Sequence, residues 1–294
     1  MHIFIFYASY IVIPFFVFLI FFIIRRRKLL CGNKTALIAV LLLFLGTLLF
    51  IYSRFIERNI ILTRVTKVET EFFAKIVVVS DLHLGDYKGP DFLRKIVSEI
   101  NAMENVDAVL MPGDFVYCSS EDLEGLFSPL KDIKFPVYAV LGNHDRKKSD
   151  PFFRVKLQKA LEDNHVFFLY NSSAVIKHKN IIILGLGDRL SNQDDVSKIN
   201  EFKKSDNLIV LAHNPGTTLA YRNSIPDITI TGHTHGGQIR IPYLYKQVIP
   251  CDGNFDQGLY NTNYGKVFVS AGLGEIGLPM RLGVPPTIEV LELN

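Results

Sequence analysis

The sequence predicts an α/β domain that follows a pair of membrane-spanning helices. Two long uncharged apolar runs lie within the first 53 residues, and beyond residue 71 short β-branched runs alternate with amphipathic segments. The later strands become increasingly consecutive, which favours a mixed sheet or a pair of sheets. The predicted organisation is a membrane region over 1–53, a polar connector over 54–70 and a folded domain over 71–294.

Each apolar run is long enough to cross a bilayer as a helix. Ile3–Ile24 contains no charged residue and is dominated by Ile, Phe, Val and Leu, and Thr35–Ser53 is rich in Leu. A bilayer core requires about 20 apolar residues in helical form. Neither run resembles a cleaved signal peptide, because the cations follow the first run instead of preceding it and no small-x-small cleavage site follows the second. We therefore expect a multi-pass protein of the inner (cytoplasmic) membrane.

The orientation in the membrane depends on the basic residues. The loop over 25–34 carries five cations: Arg25, Arg26, Arg27, Lys28 and Lys34. The positive-inside rule places this loop in the cytoplasm and both chain ends outside. Four further cations between positions 54 and 67 weaken the asymmetry. A shallow hairpin with the domain on the cytoplasmic face is therefore the alternative topology.

The composition bears against nucleic acid as a partner. The net charge is only +3, and the basic loop carries much of the excess, so the domain has no general basic footprint. The three cysteines, Cys31, Cys118 and Cys251, lack the spacing of a zinc site. An oxidising compartment would allow a disulfide between Cys118 and Cys251.

The elements of the domain follow from short sequence patterns. Lys75–Ser80 is a compact valine-rich run, typical of a buried strand. Pro90–Met103 is predicted to be a helix because proline suits the first turn and the apolar residues share one face. Further helices are expected at Glu121–Leu130 and Pro151–Leu161. Further strands are expected at Val106–Met111, Val137–Leu141, Ile181–Leu184, Asn207–Leu211, Asp227–Thr231, Lys266–Ser270 and Thr287–Leu291.

Metal-binding residue types follow five of these strands. The blocks are Asp81-Leu82-His83, Pro112-Gly113-Asp114, Gly142-Asn143-His144-Asp145, His213-Asn214-Pro215 and Gly232-His233-Thr234-His235. Ligands of α/β sheets gather outside the carboxyl ends of strands, so the blocks should converge. Two carboxylates, one amide and four imidazoles, without sulfur, suit two divalent ions such as Mn, Fe or Zn. The i, i+2 spacing of the Asp-x-His and His-x-His pairs fits either extended backbone or a tight turn.

Each block alone has an ordinary explanation. Gly-Asp is usually a turn, His-x-His is often a surface strand, and Asn-His-Asp fits an Asx-turn. Five of the eight histidines nevertheless lie in these blocks, each at a predicted strand end. That coincidence favours a metal site over five unrelated turns.

The order D-x-H, G-D, G-N-H-D, H and G-H-x-H resembles the signature of the calcineurin-like metallophosphoesterases, over roughly residues 71–294. The resemblance implies a four-layer sandwich of two mixed β-sheets flanked by helices. It also implies a dinuclear centre that hydrolyses phosphoester or phosphoanhydride bonds. The blocks at 236–238, 270–274 and 283–286 resemble a membrane-associated bacterial subgroup, which includes exported phosphodiesterases and a UDP-2,3-diacylglucosamine diphosphatase.

Carried over by position, the resemblance also assigns roles. Asp114 would bridge the metals, His144 would stand near the leaving group, and Asp145 would orient His144. The first metal would be held by Asp81, His83, Asp114 and His235, and the second by Asp114, Asn143, His213 and His233.

The membrane helices bear on the substrate. They would hold the site near lipid headgroups, so we expect the bilayer as a partner and a lipid-linked or envelope phosphoester, such as UDP-2,3-diacylglucosamine or another phosphodiester, as substrate. A non-catalytic membrane scaffold is the alternative, although the intact ligand set argues against it. A nuclease-type phosphodiesterase is disfavoured because the domain shows no basic stripe or aromatic stacking platform.

Overall fold

A computed structural model of the chain describes residues 2–117, 122–147, 149–221, 226–250 and 255–294. Cys31 is exposed. The proposed Cys118–Cys251 bridge and the first residue of the helix expected at Glu121–Leu130 lie outside the described residues.

The N-terminal region is a hairpin of two long helices. Helix α1 (His2–Ala8) and helix α2 (Val12–Gly32) are joined by a 3₁₀ turn, and α3 (Lys34–Ile51) returns. The helical stretches Ile3–Gly32 and Lys34–Asn59 are long and apolar enough to cross a membrane. The loop expected over 25–34 is not observed, because α2 extends to Gly32 and α3 begins at Lys34. The helix continues to Gly32 because Arg, Lys and Leu are good helix formers, and the Asn33 side chain caps α3 by accepting from the Ala36 N–H at 3.1 Å.

The segment 54–70 is not merely a polar connector. Helix α3 continues through a π-helical turn over Tyr52–Ile56 and a 3₁₀ turn over Glu57–Asn59. Strand β1 (Leu62–Val68) then pairs in parallel with the C-terminal strand Thr287–Leu293. Its side chains are mostly exposed or half-buried, as at the edge of a sheet. The sequence of β1 is therefore too polar to predict a strand unless its pairing with the C-terminal strand is known.

The remaining described strands were partly foreseen. Those expected from the sequence begin and end within two residues of their predicted bounds. Strands β3, β5, β7, β8 and β12 were not expected, because they are very short or lie at sheet edges. Their bounds are β2 Ala74–Val78, β3 Leu84–Gly85, β4 Ala108–Met111, β5 Val116–Tyr117, β6 Val137–Ala139, β7 Val166–Phe168, β8 Ser172–Ile176, β9 Ile181–Gly185, β10 Asn207–Leu211, β11 Ile228–Thr231, β12 Gly258–Thr262, β13 Gly265–Val269 and β14 Thr287–Leu293.

Within the described residues, the strands form two six-stranded mixed sheets and a small pair, β3–β5. The first sheet has the order β1-β14-β2-β4-β6-β7, and only β14 and β2 run antiparallel. The second has the order β12-β13-β11-β10-β9-β8, with antiparallel pairs at both edges. The two mixed sheets implied by the family resemblance are thus confirmed.

The sheets pack face to face, and each has a covered outer side. Ile76 and Leu110 of the first sheet meet Ile209, Ile230 and Phe268 of the second in one buried cluster. The outer face of the first sheet packs on α4 (Pro90–Asn101), α5 (Leu123–Phe127) and α6 (Phe153–Glu162). Short 3₁₀ helices over Val196–Glu201 and Pro215–Ala220 adjoin the outer face of the second sheet. The four layers are present, but the fourth consists of 3₁₀ turns among the described residues.

The end of the helical hairpin is fastened to the domain by buried charges. The Glu275 carboxylate accepts from Arg58 Nη2 at 3.0 Å and pairs with Lys88 Nζ at 2.9 Å. Glu57 accepts from the Val284 N–H at 2.7 Å. Burial disfavours the ionised form of Glu275, but Lys88 and Arg58 outweigh it and lower the pKa of that carboxyl. The hairpin therefore ends in a fixed position on the loop over 273–284.

This network generates a stability prediction. Glu275→Gln removes the counter-charge of Arg58 and Lys88 and leaves two buried cations unpaired. Breaking a buried ion pair costs about 3–5 kcal/mol, so the melting temperature should fall by several degrees. Asp91→Asn, which removes an exposed partner of Arg94, is the matched control and should change it little. Equal melting temperatures for wild type and Glu275→Gln, measured by circular dichroism in detergent, would contradict this role.

Candidate metal centre

The polar blocks meet where the two sheets adjoin. Turns after β2, β4 and β6 of the first sheet carry Asp81–His83, Asp114 and Asn143–Asp145, and turns after β10 and β11 of the second carry His213 and His233–His235. These carboxyl ends face one another across the sandwich. The convergence expected from the sequence is therefore observed.

The structure places the predicted metal ligands in two adjoining groups. Ligand atoms lie within 4.8 Å of one another in each of the groups Asp81, His83, His235 and Asp114, His213, His233. Asp114 Oδ2 lies 3.5 Å from His83 Nε2 of the first group and 3.2 Å from His213 Nε2. Asn143 Oδ1 lies 3.0 Å from His213 Nε2. Asp114 thus occupies the place between the groups that a bridging ligand requires.

The backbone of these turns is unusual. Asp81, His83, Asp114, His233 and His235 all have positive φ values, between 43° and 76°. Non-glycine residues seldom adopt the left-handed region, and such strain concentrates at functional sites. Of the two conformations that the i, i+2 spacing allowed, the chain adopts the tight turn, which directs both side chains toward one centre.

Two glycines make the close approach of these turns feasible. A Cβ at Gly142 would lie 2.1 Å from Asp114 Oδ1, and a Cβ at Gly232 would lie 2.3 Å from Asp81 Oδ2. Any larger residue would displace the carboxylates.

Three of the histidines are held neutral. Burial lowers the pKa of His83 to about 4 and that of His233 to about 3, and it lowers the pKa of His235 well below its usual value. A neutral imidazole is the form that binds metal ions. His83 Nδ1 lies 3.4 Å from the Val116 carbonyl oxygen, to which it donates, so Nε2 keeps its lone pair toward the centre.

The surroundings of His213 carry excess negative charge. His213 Nδ1 donates to the Pro112 carbonyl at 2.8 Å, and its Nε2 faces Asp114, Asn143 and His233. Burial disfavours a charged imidazole, yet the Asp114 and Asp81 carboxylates raise the pKa of His213 to about 10. Either a proton on His213 or a divalent cation would balance the negative charge of these carboxylates. The converging lone pairs of Asp114, Asn143 and His233 favour the divalent cation.

Buried atoms without partners support the same conclusion. His235 Nδ1 is buried and forms no hydrogen bond among the residues that the structure describes. Asp114 Oδ2 is also buried, and the ring nitrogens of His213 and His83 face it without completing a hydrogen bond. Unsatisfied buried polar atoms are costly and rare unless a water or ion completes them. The donor set of two carboxylates, one amide and four imidazoles therefore fits two divalent metal ions.

Asp145 has a different role from the predicted one. Its carboxylate accepts from the backbone N–H groups of Asp114 at 2.9 Å, Phe115 at 2.7 Å, Val116 at 3.2 Å and Gly142 at 2.8 Å. Burial and the charge of Asp114 raise its pKa to about 7, against these donors. The prediction that Asp145 orients His144 is corrected, because its acceptor capacity is taken up by holding the Asp114 and Asn143 turns together.

His144 stands at the edge of the centre. Its N–H donates to Asp114 Oδ1 at 2.8 Å, and its ring centroid lies 5.4 Å from that of His83. Burial lowers the pKa of His144, although Asp114 opposes the effect. The ring lines the cavity, where an anionic substrate would favour its protonated form.

The metal-binding groups open into a largely apolar cavity of about 420 Å³. Asp114, His144, His233 and His235 line one end. The other walls include the apolar side chains of Ile239, Val248, Ile249, Pro250, Ile276 and Leu278. The site therefore combines a charged reaction centre with an apolar compartment of ligand-binding size.

Sequence reasoning missed residues that support the site. Gln238 donates to the carbonyls of Ile276 and Leu278 at 3.0 Å each and so joins two walls of the cavity. Ser80 donates to Asp81 Oδ2 at 2.5 Å. The family-like Gly-Gly-Gln block pointed to Gln238, whereas a serine next to a strand end carries no distinctive signal.

The bonds of Asp145 predict the effect of replacing it. Asp145→Asn sets an amide NH₂ against backbone N–H donors, which should loosen both turns and cost about 3 kcal/mol. We expect lower metal content by elemental analysis and a lower melting temperature. Asp163→Asn, on an exposed helix end paired with Lys159, is the control. Full metal content together with lost activity would instead favour the orienting role.

The sequence and the geometry agree with known proteins. Residues 74–237 match the family described as calcineurin-like phosphoesterase. The chain is 31% identical over 75% of its length to an uncharacterized metallophosphoesterase of Campylobacter jejuni, of which it covers 59%. It is 27% identical over 74% of its length to the phosphodiesterase YaeI of Escherichia coli, covering 82% of that protein. It is also 30% identical over 71% of its length to a Danio rerio transmembrane protein with a metallophosphoesterase domain, covering 50% of it.

The family match extends over more than half of the chain and includes both groups of metal-binding residues. Members of this family use two divalent metal ions, for which the structure provides the ligands. The chain therefore belongs to the calcineurin-like phosphoesterase family and is a metal-dependent hydrolase.

Proposed function

We propose that this chain is a membrane-anchored phosphodiesterase that hydrolyses a phosphodiester or phosphoanhydride bond in a lipid-linked substrate. The observation that carries the proposal is the cavity, which joins the metal-binding groups to an apolar compartment. A soluble metabolite would leave these apolar walls without a counterpart, whereas an acyl chain would bury them.

The attachment of the hairpin supports the same substrate class. Tyr87 stacks on Phe6 of the hairpin, with ring centroids 5.6 Å apart, and donates to the Gly277 carbonyl at 2.7 Å. Gly277 lies in the cavity wall between Ile276 and Leu278. With α2 and α3 in a bilayer, this wall is held near the membrane surface. The names of the E. coli and Danio rerio relatives support phosphodiester chemistry and a membrane location respectively.

The candidate substrates differ in the side of the membrane that they require. UDP-2,3-diacylglucosamine fits the lipid-linked class, but UDP-sugar intermediates are made in the cytosol. A domain on the cytoplasmic face would meet that substrate, whereas an outward domain would meet an envelope phosphodiester. We propose a multi-pass protein of the cytoplasmic membrane in both topologies.

The residues divide the chemistry among them. Two bound divalent ions would neutralise the phosphoryl oxygens and make an attacking water available at neutral pH. Asp81, His83, Asp114, Asn143, His213, His233 and His235 would hold these ions. Asp145 holds the Asp114 and Asn143 turns in position, and the apolar walls exclude bulk water. His144 would donate a proton to the departing oxygen.

The proposed substrate class predicts a dependence on acyl length. Hydrolysis by the detergent-purified chain is measured on lipid extract, on UDP-2,3-diacylglucosamine and on a phosphodiester series that differs only in acyl length. Each buried methylene contributes about 0.8 kcal/mol, so kcat/KM should rise several-fold per methylene until the cavity is filled. Asp114→Asn should lack both metal, by elemental analysis, and activity. A kcat/KM independent of acyl length would refute the lipid class, while hydrolysis of bis-p-nitrophenyl phosphate would still report the phosphoesterase.

The role of His144 predicts a dependence on the leaving group. His144→Ala should keep its metal but lose about 10²-fold in rate on an alkyl phosphodiester, whose leaving group needs a proton. Bis-p-nitrophenyl phosphate has a stable leaving group and should suffer less. His178→Ala, which changes an exposed histidine paired with Asp107, is the matched control. Equal losses on both substrates would eliminate the proton-donor role.

A further inference from the structure

The segment Ile241–Val248, called the lip below, exposes an unusual number of apolar side chains. Tyr243 is 91% exposed, Val248 78%, Leu244 55% and Ile241 48%. Val248 also lines the cavity at the metal centre. A run of exposed apolar side chains beside a binding cavity usually marks an interaction surface.

The lip is held firmly, with its polar partners on the inner side. Arg240 forms an ion pair with Asp256, and its guanidinium carbon lies 4.6 Å from the Tyr245 ring centroid. The Tyr245 hydroxyl donates to the Asp256 carboxylate at 3.0 Å. A Cβ at Gly237, two residues after His235, would lie 2.7 Å from the Tyr245 ring. This arrangement fixes the lip to the metal-binding turn and turns its apolar side chains outward.

The lip begins close to the end of the helical hairpin. The Arg281 N–H donates to the Ser53 carbonyl at 3.2 Å, and the carbonyl of the next residue, Leu282, accepts from the Arg240 N–H at 2.8 Å. Ser53 and Arg240 are therefore both bonded to the backbone of Arg281–Leu282. Since each bonded pair of backbones is one interstrand spacing apart, Ser53 and Arg240 lie on the order of 10 Å from each other.

The hairpin has an aromatic girdle at this same end. Tyr7, Tyr10 and Tyr52 are 67%, 45% and 40% exposed, and tyrosines prefer the level of the lipid headgroups. The lip is thus next to the part of the hairpin that would emerge from a bilayer.

We propose that the lip is a second membrane contact and inserts Tyr243 and Leu244 into the headgroup region of the leaflet from which the hairpin emerges. The proposal rests on the membrane anchorage proposed above. Insertion removes apolar side chains from water at a place where the hairpin already holds the domain. The cavity, with the lip on one side and Ile276–Leu278 on the other, then opens onto the leaflet.

The absence of tryptophan from the sequence provides a direct test. Tyr243→Trp places the only tryptophan of the chain at the lip, where it can be excited selectively over the tyrosines. The full chain is reconstituted in nanodiscs of phosphatidylcholine with or without brominated acyl chains. Brominated lipid should remove most of the fluorescence of Tyr243→Trp. Phe73→Trp is the matched control, because Phe73 is 73% exposed and precedes β2, at the end of the strand away from the metal centre. It should not be quenched.

A third variant separates failure of the lip from failure of the anchorage. Phe18 is 60% exposed within α2, so Phe18→Trp should be quenched strongly if the hairpin lies in the bilayer. Quenching of Phe18→Trp without quenching of Tyr243→Trp would overturn the lip contact alone. No quenching at either position would overturn the anchorage as well. Protection of Tyr243→Trp from acrylamide without quenching by brominated lipid would indicate contact with protein instead, which also overturns the proposal.

Discussion

The burial of Asp81 and Asp114 beside each other is the constraint on which the rest of the structure depends. Both carboxylates are almost entirely removed from solvent, and two buried negative charges so close together are costly without compensation. Burial, with Asp114 nearby, raises the pKa of Asp81 to about 6. His213 compensates Asp114 most directly, and two bound cations would complete the balance. The glycines at 142 and 232 accommodate this arrangement, because a Cβ at either position would collide with one of the two carboxylates.

The turn that carries Asp81 is also bonded to the loop that holds the end of the helical hairpin. Leu273 N–H donates to the Ser80 carbonyl at 3.0 Å and Gly274 N–H to the Asp81 carbonyl at 2.6 Å. The next residue, Glu275, binds Arg58 at the end of the hairpin. Contacts of three consecutive residues, Leu273 to Glu275, thus connect the end of the helical hairpin to the metal-binding turn. The hairpin is therefore part of the architecture of the site.

Much of the fold and of the centre was predictable because it depends on local patterns. The runs Lys75–Ser80 and Asn207–Leu211 are short, mainly apolar and rich in β-branched residues, as is typical of buried strands, and the metal-binding residues follow their ends. The edge strand β1 was not predictable, since its alternation is weak and its pairing with β14 joins residues more than 200 positions apart. The role of Asp145 was missed for a similar reason, because its partners are backbone N–H groups, which carry no residue identity.

The sequence by itself determined the reaction class, since residue types at strand ends dictate which ions and bonds they can handle. It also determined that two apolar helices precede the domain, because length and the absence of charge decide that locally. Only the tertiary structure decided what surrounds the reaction centre. The apolar cavity and the lip arise from segments near 240–250 and 276–278, which carry no pattern of their own. Gln238, just before the first segment, donates to the backbone of the second. These segments form a cavity wall and an exposed apolar surface because the fold places them between the metal centre and the end of the hairpin.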